Sequence, residues 1–209
     1  MKQIFCADII KTKGEEVELF GWIHNRRDHG KLIFLDLRDR SGIAQMIVLP
    51  NSSAYEIAQT LGQEFVVRVK GKVNERPDKM VNKDLATGEV EIEVAEIEIL
   101  SQAQAPVFEV NKDTRKVNEE TRLKYRYLDL RSQRMQNNLI KRQELTQSLR
   151  EYLLQHRFLE IETPDLAKGT PEGAREYVVP SRVHQGKFYV LPQSPQQFKQ
   201  LLMVSGVER

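Results

Sequence analysis

Glu89-Val90-Glu91-Ile92-Glu93-Val94-Ala95-Glu96-Ile97-Glu98-Ile99 alternates acidic and apolar residues, the pattern of a strand with one buried and one wet face. Working upstream, Glu64 to Val73 and Ile43 to Leu49 repeat the alternation, as do Lys31 to Leu37 and Glu16 to Ile23. Asp28-His29-Gly30 and Ser41-Gly42 supply turns between them. Ser53 to Leu61 fits a short helix with Ser52 or Ser53 as its N-cap. Five strands with a helix between the third and fourth is the order of an all-β OB-fold barrel. Such barrels bind oligonucleotides on their second and third strands and adjoining loops. The acidic column of Glu91, Glu93, Glu96 and Glu98 argues against the fifth strand as that surface and points to strands one to three.

Downstream, Ser101 to Glu120 lacks periodicity and contains Pro106, Asn111 and Asp113, which marks a linker. Leu139, Leu145, Leu149, Tyr152 and Leu153 form an apolar stripe at helical spacing on a helix from about Gln136 to Arg157. Phe158 to Pro164 reads as a short strand ended by proline. Tyr177 to Pro180 and Lys187 to Leu191 read as strands, the second entered through His184-Gln185-Gly186. Ser194-Pro195 then starts a helix that runs to Val204, with serine as N-cap and proline at the first helical position. The expected organisation is a barrel over residues 1–105, a linker or hinge over 106–130, and the opening of an α+β domain with an antiparallel sheet over 131–209.

Of 209 residues, 40% are hydrophobic and 30% charged, a composition of globular proteins that excludes collagen, rods and wholesale disorder. No apolar run is long enough for a membrane span or a secretory signal, so a cytoplasmic location with no membrane partner is expected. A lone cysteine, Cys6, excludes an internal disulfide, and the four histidines lack metal-ligand spacing; no metal ligand and no catalytic residue is assigned. Residues 1–105 hold 14 Lys and Arg against 17 Asp and Glu, whereas 106–209 hold 18 against 13. Seven basic residues with one acid, Asp129, lie between Arg122 and Arg142, a stretch that suits either a polyanion or a solvated helix face.

Two constellations carry chemistry. Arg26-Arg27-Asp28-His29-Gly30 precedes Phe34 and Gln45. Phe34 offers a stacking face for a single-stranded base, Gln45 a donor and an acceptor for a base edge, and Arg26 or Arg27 a phosphate contact; the bland alternative is a core phenylalanine beside solvated arginines. The second is Glu172, Ser194, Gln196 and Lys199. Gln196 and Lys199, three apart, share one helix face near an anion-favouring N-terminus. With a mobile Glu172 for an ammonium group, the set has the polarity of an amino-acid site. The alternative is a capped helix with a surface lysine.

At these residues the chain resembles the N-terminal part of bacterial-type aspartyl-tRNA synthetases, which are class II enzymes. The resemblance rests on Gly21 to Asp28, Leu32 to Asp39, Asp84 to Glu89, Arg122 to Arg131, Phe158 to Pro164, Thr170 to Tyr177 and Leu191 to Met203. It implies that the barrel holds a tRNA anticodon. Phe34 would stack on the central uridine, Gln45 would contact that base, and Arg27 the first anticodon base; Arg26, His29, Arg76 and Lys79 complete the anticodon set. Residues 158–164 would form motif 1 of a homodimer interface around Pro164. Lys199 would pair with the side chain of L-aspartate, Ser194 and Gln196 would shape its pocket, and Glu172 would close over its ammonium. His29 is similar to members that charge both tRNA-Asp and tRNA-Asn, while Lys79 points to strict members, so the specificity stays open. Gly62 and Asn74 stand where many relatives carry arginines. ATP and Mg²⁺ would serve the full-length enzyme. Motifs 2 and 3 are expected after Arg209, so the chain is expected to be a fragment that neither binds ATP and Mg²⁺ productively nor acts alone. The alternative is a stand-alone anticodon-binding module without catalysis.

Overall fold

The computed structural model describes residues 2–170, 173 and 175–209. Two compact units divide the chain, Met1–Asn138 and Leu139–Arg209.

In the first unit, β2 (Glu16–His29), β3 (Leu32–Arg38), β4 (Ile43–Val48), β5 (Val66–Glu75) and β6 (Val90–Ser101) pair in the order β2-β3-β4-β6-β5. The ring closes where β2 pairs antiparallel with β5, Val17 opposite Gly71 and Trp22 opposite Val66. A closed sheet has no edge to protect, and this one is the OB-fold barrel that the alternation implies. Its interior holds Leu19, Ile23, Leu35, Leu37, Met46, Val67, Val69 and Ile92, all fully buried. Curling requires backbones to approach closely. A side chain at Gly21 would meet the Arg38 carbonyl oxygen at 2.5 Å, so only glycine fits there.

The helix α1 (Tyr55–Thr60) lies between β4 and β5, shorter than expected. Neither Ser52 nor Ser53 is its N-cap; that position is Ala54, with no side-chain cap. Both hydroxyls instead donate to β6, Ser52 to the Val94 carbonyl and Ser53 to the Ala95 carbonyl, each at 2.9 Å. Those carbonyls need partners because Glu96 pairs with Lys70 and Val94 with Gly71, which leaves Ala95 as an extra residue on β6. Two further elements arise without a sequence signal. A two-residue strand, β1 (Lys2–Gln3), pairs parallel with Val17 and Glu18, and a 3₁₀ segment, Cys6–Thr12, buries Cys6, Ile9 and Thr12.

Residues 106–130 form a 3₁₀ turn at Thr114–Lys116 and two short helices, α2 (Glu119–Lys124) and α3 (Arg126–Asp129), inside the first unit. Two ionic knots hold this stretch and the start of α4 (Gln133–Gln155). Fully buried Asp129 accepts from the Thr114 hydroxyl at 2.6 Å and from Arg126 at 2.6 Å, with Arg122 and Arg134 both 3.7 Å away. Buried Glu64, in the left-handed region at φ 66°, meets Arg38 at 2.8 Å and Arg131 at 2.6 Å. The same two guanidiniums lie 5.9 and 5.0 Å from the Trp22 ring. Much of the basic run between Arg122 and Arg142 thus serves internal carboxylates.

In the second unit, β7 (Tyr177–Pro180) and β8 (Phe188–Leu191) form an antiparallel hairpin, and α5 spans Gln196–Val204. Phe158 to Pro164 is not the expected strand. Arg157 takes a left-handed φ of 62°, Phe158 donates back to the Leu153 carbonyl at 3.0 Å and Leu159 to the Arg209 carbonyl at 3.1 Å. The segment's first donor therefore closes the helix C-terminus and its second goes to the chain's last residue, so neither is free for a strand ladder. Ser194 is not the N-cap of α5; Pro195 takes that position, with no side-chain cap.

Candidate nucleic-acid interface

Three strands lay the first constellation out in rows. Across β2, β3 and β4, Arg27 stands opposite Phe34 and Phe34 opposite Ile47; in the next row Asn25 faces Asp36 and Asp36 faces Gln45. Ile33, Leu35 and Leu37 alternate with these and fill the barrel, so Phe34 belongs to the outer surface. It is half-buried and stands outside the core cluster. The His29 ring meets it edge-on, 5.7 Å between centroids at 81°, a favourable aromatic arrangement.

Polar contacts run along the row from Arg27. Its guanidinium reaches diagonally to donate to Asp36 at 2.8 Å and to the Gln45 carbonyl oxygen at 3.5 Å. The Gln45 amide nitrogen donates to Glu91 on β6 at 3.4 Å. Arg76, just beyond β5, places its Nε 3.5 Å from the same Glu91 carboxylate. Both ends of the Gln45 amide are thereby held, which sets the donor and acceptor it presents. Burial pushes the Asp36 carboxyl up while Arg27 pulls it back down, and burial pushes the Arg76 guanidinium down. The Arg76 side chain is 4% exposed; among the described residues its buried Nη2 has no hydrogen-bond acceptor, and its Nε faces Glu91 without making a hydrogen bond. Unfilled donors of a buried guanidinium are costly and point to an acceptor from outside the chain.

The structure therefore brings Arg27, His29, Phe34, Gln45 and Arg76 into one surface. Arg26, one residue along the same strand, turns to the other side, where it clasps Asp28 at 2.7 Å and donates to the Gln59 carbonyl. Lys79 is exposed on the 3₁₀ turn Asp78–Met80. The acidic column of β6 is matched by cations of β5: Arg68 with Glu98 at 2.9 Å and Lys70 with Glu96 at 2.6 Å, while Asn74 donates to Glu93 at 2.9 Å. Asp36 and Glu91 were not expected in the site. The signal for Asp36 is a carboxylate inside an apolar run, Leu35-Asp36-Leu37, on the Phe34 side of the strand.

Of the second constellation, Gln196 opens α5 and Lys199 follows one turn later, both exposed, with half-buried Ser194 just before them. Glu172 lies outside the described residues. The backbone on either side of it is tied in, Thr170 donating to Glu176 at 3.2 Å and the Gln193 amide to the Arg175 carbonyl at 2.9 Å. Pro164 is exposed.

Comparison with known proteins finds a family match for each half. An OB-fold nucleic acid binding domain family matches residues 17–100, and the family of tRNA synthetases class II (D, K and N) matches residues 118–209. The aspartate–tRNA(Asp/Asn) ligase of Ruthia magnifica is 50% identical over 100% of this chain and 36% of its own length. The aspartate–tRNA ligase of Thermosipho melanesiensis is 54% identical over 98% of this chain and 35% of its own. The chain thus spans about a third of the length of the curated relatives it matches. Among solved structures, asparaginyl-tRNA synthetase from Pyrococcus horikoshii complexed with asparaginyl-adenylate superposes with a TM-score of 0.81 at 27% identity, over 98% of this chain and 45% of that one. The putative aspartyl-tRNA synthetase from Leishmania major, at 21% identity over 98% of this chain and 41% of that one, shares the fold with a TM-score of 0.83.

Proposed function

We propose that this chain, whose residues 118–209 match the tRNA synthetases class II (D, K and N) and which is 50–54% identical to aspartate–tRNA ligases over about a third of their length, reads the anticodon of tRNA-Asp with its barrel for an aspartate–tRNA ligase. The observation that carries this is the outer face of β2, β3 and β4, where an aromatic ring stands beside an amide held at both ends and a buried arginine with unfilled donors. A flipped-out base would stack on Phe34 and present its edge to Gln45, while Arg27 and Arg76 contact neighbouring acceptors. His29 shapes the same surface, and exposed Lys79 would meet an anticodon phosphate, whereas Arg26 is committed to Asp28 and the Gln59 carbonyl on the other side. The relatives include both aspartate–tRNA and aspartate–tRNA(Asp/Asn) ligases at 49–54% identity, so tRNA-Asn is the second candidate substrate.

In the whole enzyme the reaction would be activation of L-aspartate. Its α-carboxylate attacks the α-phosphorus of ATP and pyrophosphate leaves; a hydroxyl of the terminal adenosine of tRNA then attacks the aspartyl carbonyl and AMP leaves. Lys199 and the start of α5 would take the substrate's side-chain carboxylate, with Ser194 and Gln196 beside it and Glu172 on its ammonium. Pro164 would lie on a homodimer interface. ATP and Mg²⁺ complete the family's chemistry. Among the described residues no group of three or more His, Cys, Asp or Glu is placed to hold a metal.

The test is an anisotropy titration of the chain with labelled anticodon stem-loops of tRNA-Asp, tRNA-Asn and an unrelated tRNA at two salt concentrations. Selective binding to the first, or to the first two, is expected. Equal binding of all three, falling steeply with salt, would reduce the surface to phosphate attraction and overturn the proposal.

A further inference from the structure

A second positively charged concavity lies within the first unit, lined by none of the residues of the Phe34 surface. It is a cavity of about 420 Å³ between the barrel and the stretch that follows it. His24 and Arg38 come from the barrel; Lys112, Arg115, Arg131 and Arg134 come from the chain some 70 residues later or more. Five of these six are permanent cations, and Asp113 is the one carboxylate among the lining residues. Buried Glu64 serves Arg38 and Arg131 and buried Asp129 serves Arg134, and neither lines the cavity; Asp113, which does, pairs with Arg115 and stands 3.9 Å from Arg134, and Lys112 pairs with Glu109 at 2.6 Å. Tethering leaves donors over. Arg131 is anchored to Glu64 at its Nε, and the Nε of Arg134, 3.9 Å from Asp113, makes no hydrogen bond among the described residues. Burial and the adjacent Arg38 hold His24 below its ordinary 6.5, so the cavity's positive charge comes from its lysine and arginines.

Five cations and a single carboxylate on the lining leave the walls of the hollow positive even with these pairings, a potential that attracts an anion. Forked guanidiniums on several walls match a tetrahedral oxyanion, which offers acceptors in all directions, better than a planar carboxylate. We propose that this cavity is a binding site for a phosphoryl oxyanion. The chemistry is shared by a free phosphate or pyrophosphate and by a backbone phosphate of an RNA strand. The inference does not depend on the anticodon proposal, because it uses none of the residues of that surface.

Calorimetric titration of the full 209-residue chain with inorganic phosphate and pyrophosphate, at matched ionic strength in chloride, tests it; a short RNA hairpin without an anticodon loop is titrated alongside. The variants are Arg134→Gln and the double variant Lys112→Gln/Arg115→Gln. Lys112 and Arg115 side chains are 68% and 73% exposed, so the double variant keeps the fold even where Arg134→Gln does not, and circular dichroism checks this. Saturable binding weakened about tenfold in the double variant is expected, the loss of one charge-assisted contact. Pyrophosphate outcompeting the hairpin would name a free oxyanion as the occupant, and the reverse order a backbone phosphate. Absence of saturable binding by every probe, or equal affinity in the folded double variant, would overturn the site.

Discussion

Phe34 is set by one property of a strand, its two-residue period. Ile33 and Leu35 are buried on either side of it, so a large aromatic is left on the outer face beside His29 at 5.7 Å. Phe34→Ala should weaken stem-loop binding by about 1–3 kcal/mol, the usual value of base stacking, and unchanged affinity in titration would remove Phe34 as the platform. His24 is the residue through which pH acts on the fold. It sits at the irregularity where β2 shifts register between Ile23 and Asn25, with its Nδ1 2.9 Å from the Arg38 guanidinium. Burial first, then Arg38, lowers it below 6.5, and Glu64 pulls the other way. The unfolded chain therefore binds the extra proton more readily, and stability falls as pH drops through 6.5. Denaturation midpoints between pH 8 and pH 5 should decline in the wild type and flatten in His24→Gln; parallel curves would refute this. Cys6 carries no such role: its backbone N–H donates to Asp39 at 2.7 Å, and burial pushes its thiol up and leaves it inert.

Elements come next. The strands of the barrel were legible because alternation is local, and four of the five stand within two residues of where the pattern placed them; β2 runs on from the expected Ile23 to His29, into the expected turn. The register was not. Val90, Ile92 and Val94 are spaced by two, but the next buried residue is Ile97, and that slip in the sequence is the bulge at Ala95. The stretch around α2 and α3 was illegible for the opposite reason. Its stability comes from Asp129, a polar residue that no hydrophobic pattern marks, buried among three arginines and Thr114. Asp129→Ala strands those cations and should cost about 3–5 kcal/mol, read as a shift in denaturation midpoint. A loss under 1 kcal/mol would mean that the arginines reach solvent without penalty.

At the scale of the molecule, the two units differ in how much they bury. Residues Met1–Asn138 enclose the whole barrel core, whereas among the described hydrophobic residues of Leu139–Arg209 only Val190 is buried. Leu145, Leu149 and Tyr152 of α4 are 64%, 59% and 60% exposed, an apolar surface of the kind that binds other surfaces. Hydrogen exchange should show strong protection through the barrel and on to the Asp129 knot, then a sharp drop beyond residue 138. Uniform protection to Arg209 would contradict it. By itself the sequence determined the barrel, the hairpin of β7 and β8 and the residue types of the reading surface, because period-two alternation and turn residues act between neighbours in the chain. Only the tertiary structure decided that Arg27 and Arg26 part company, that Asp36 and Glu91 hold Gln45, and that Glu64 and Asp129 anchor the stretch after the barrel. A charged side chain is committed by whichever opposite charge the fold brings within about 4 Å, and that partner lies tens of residues away in the chain.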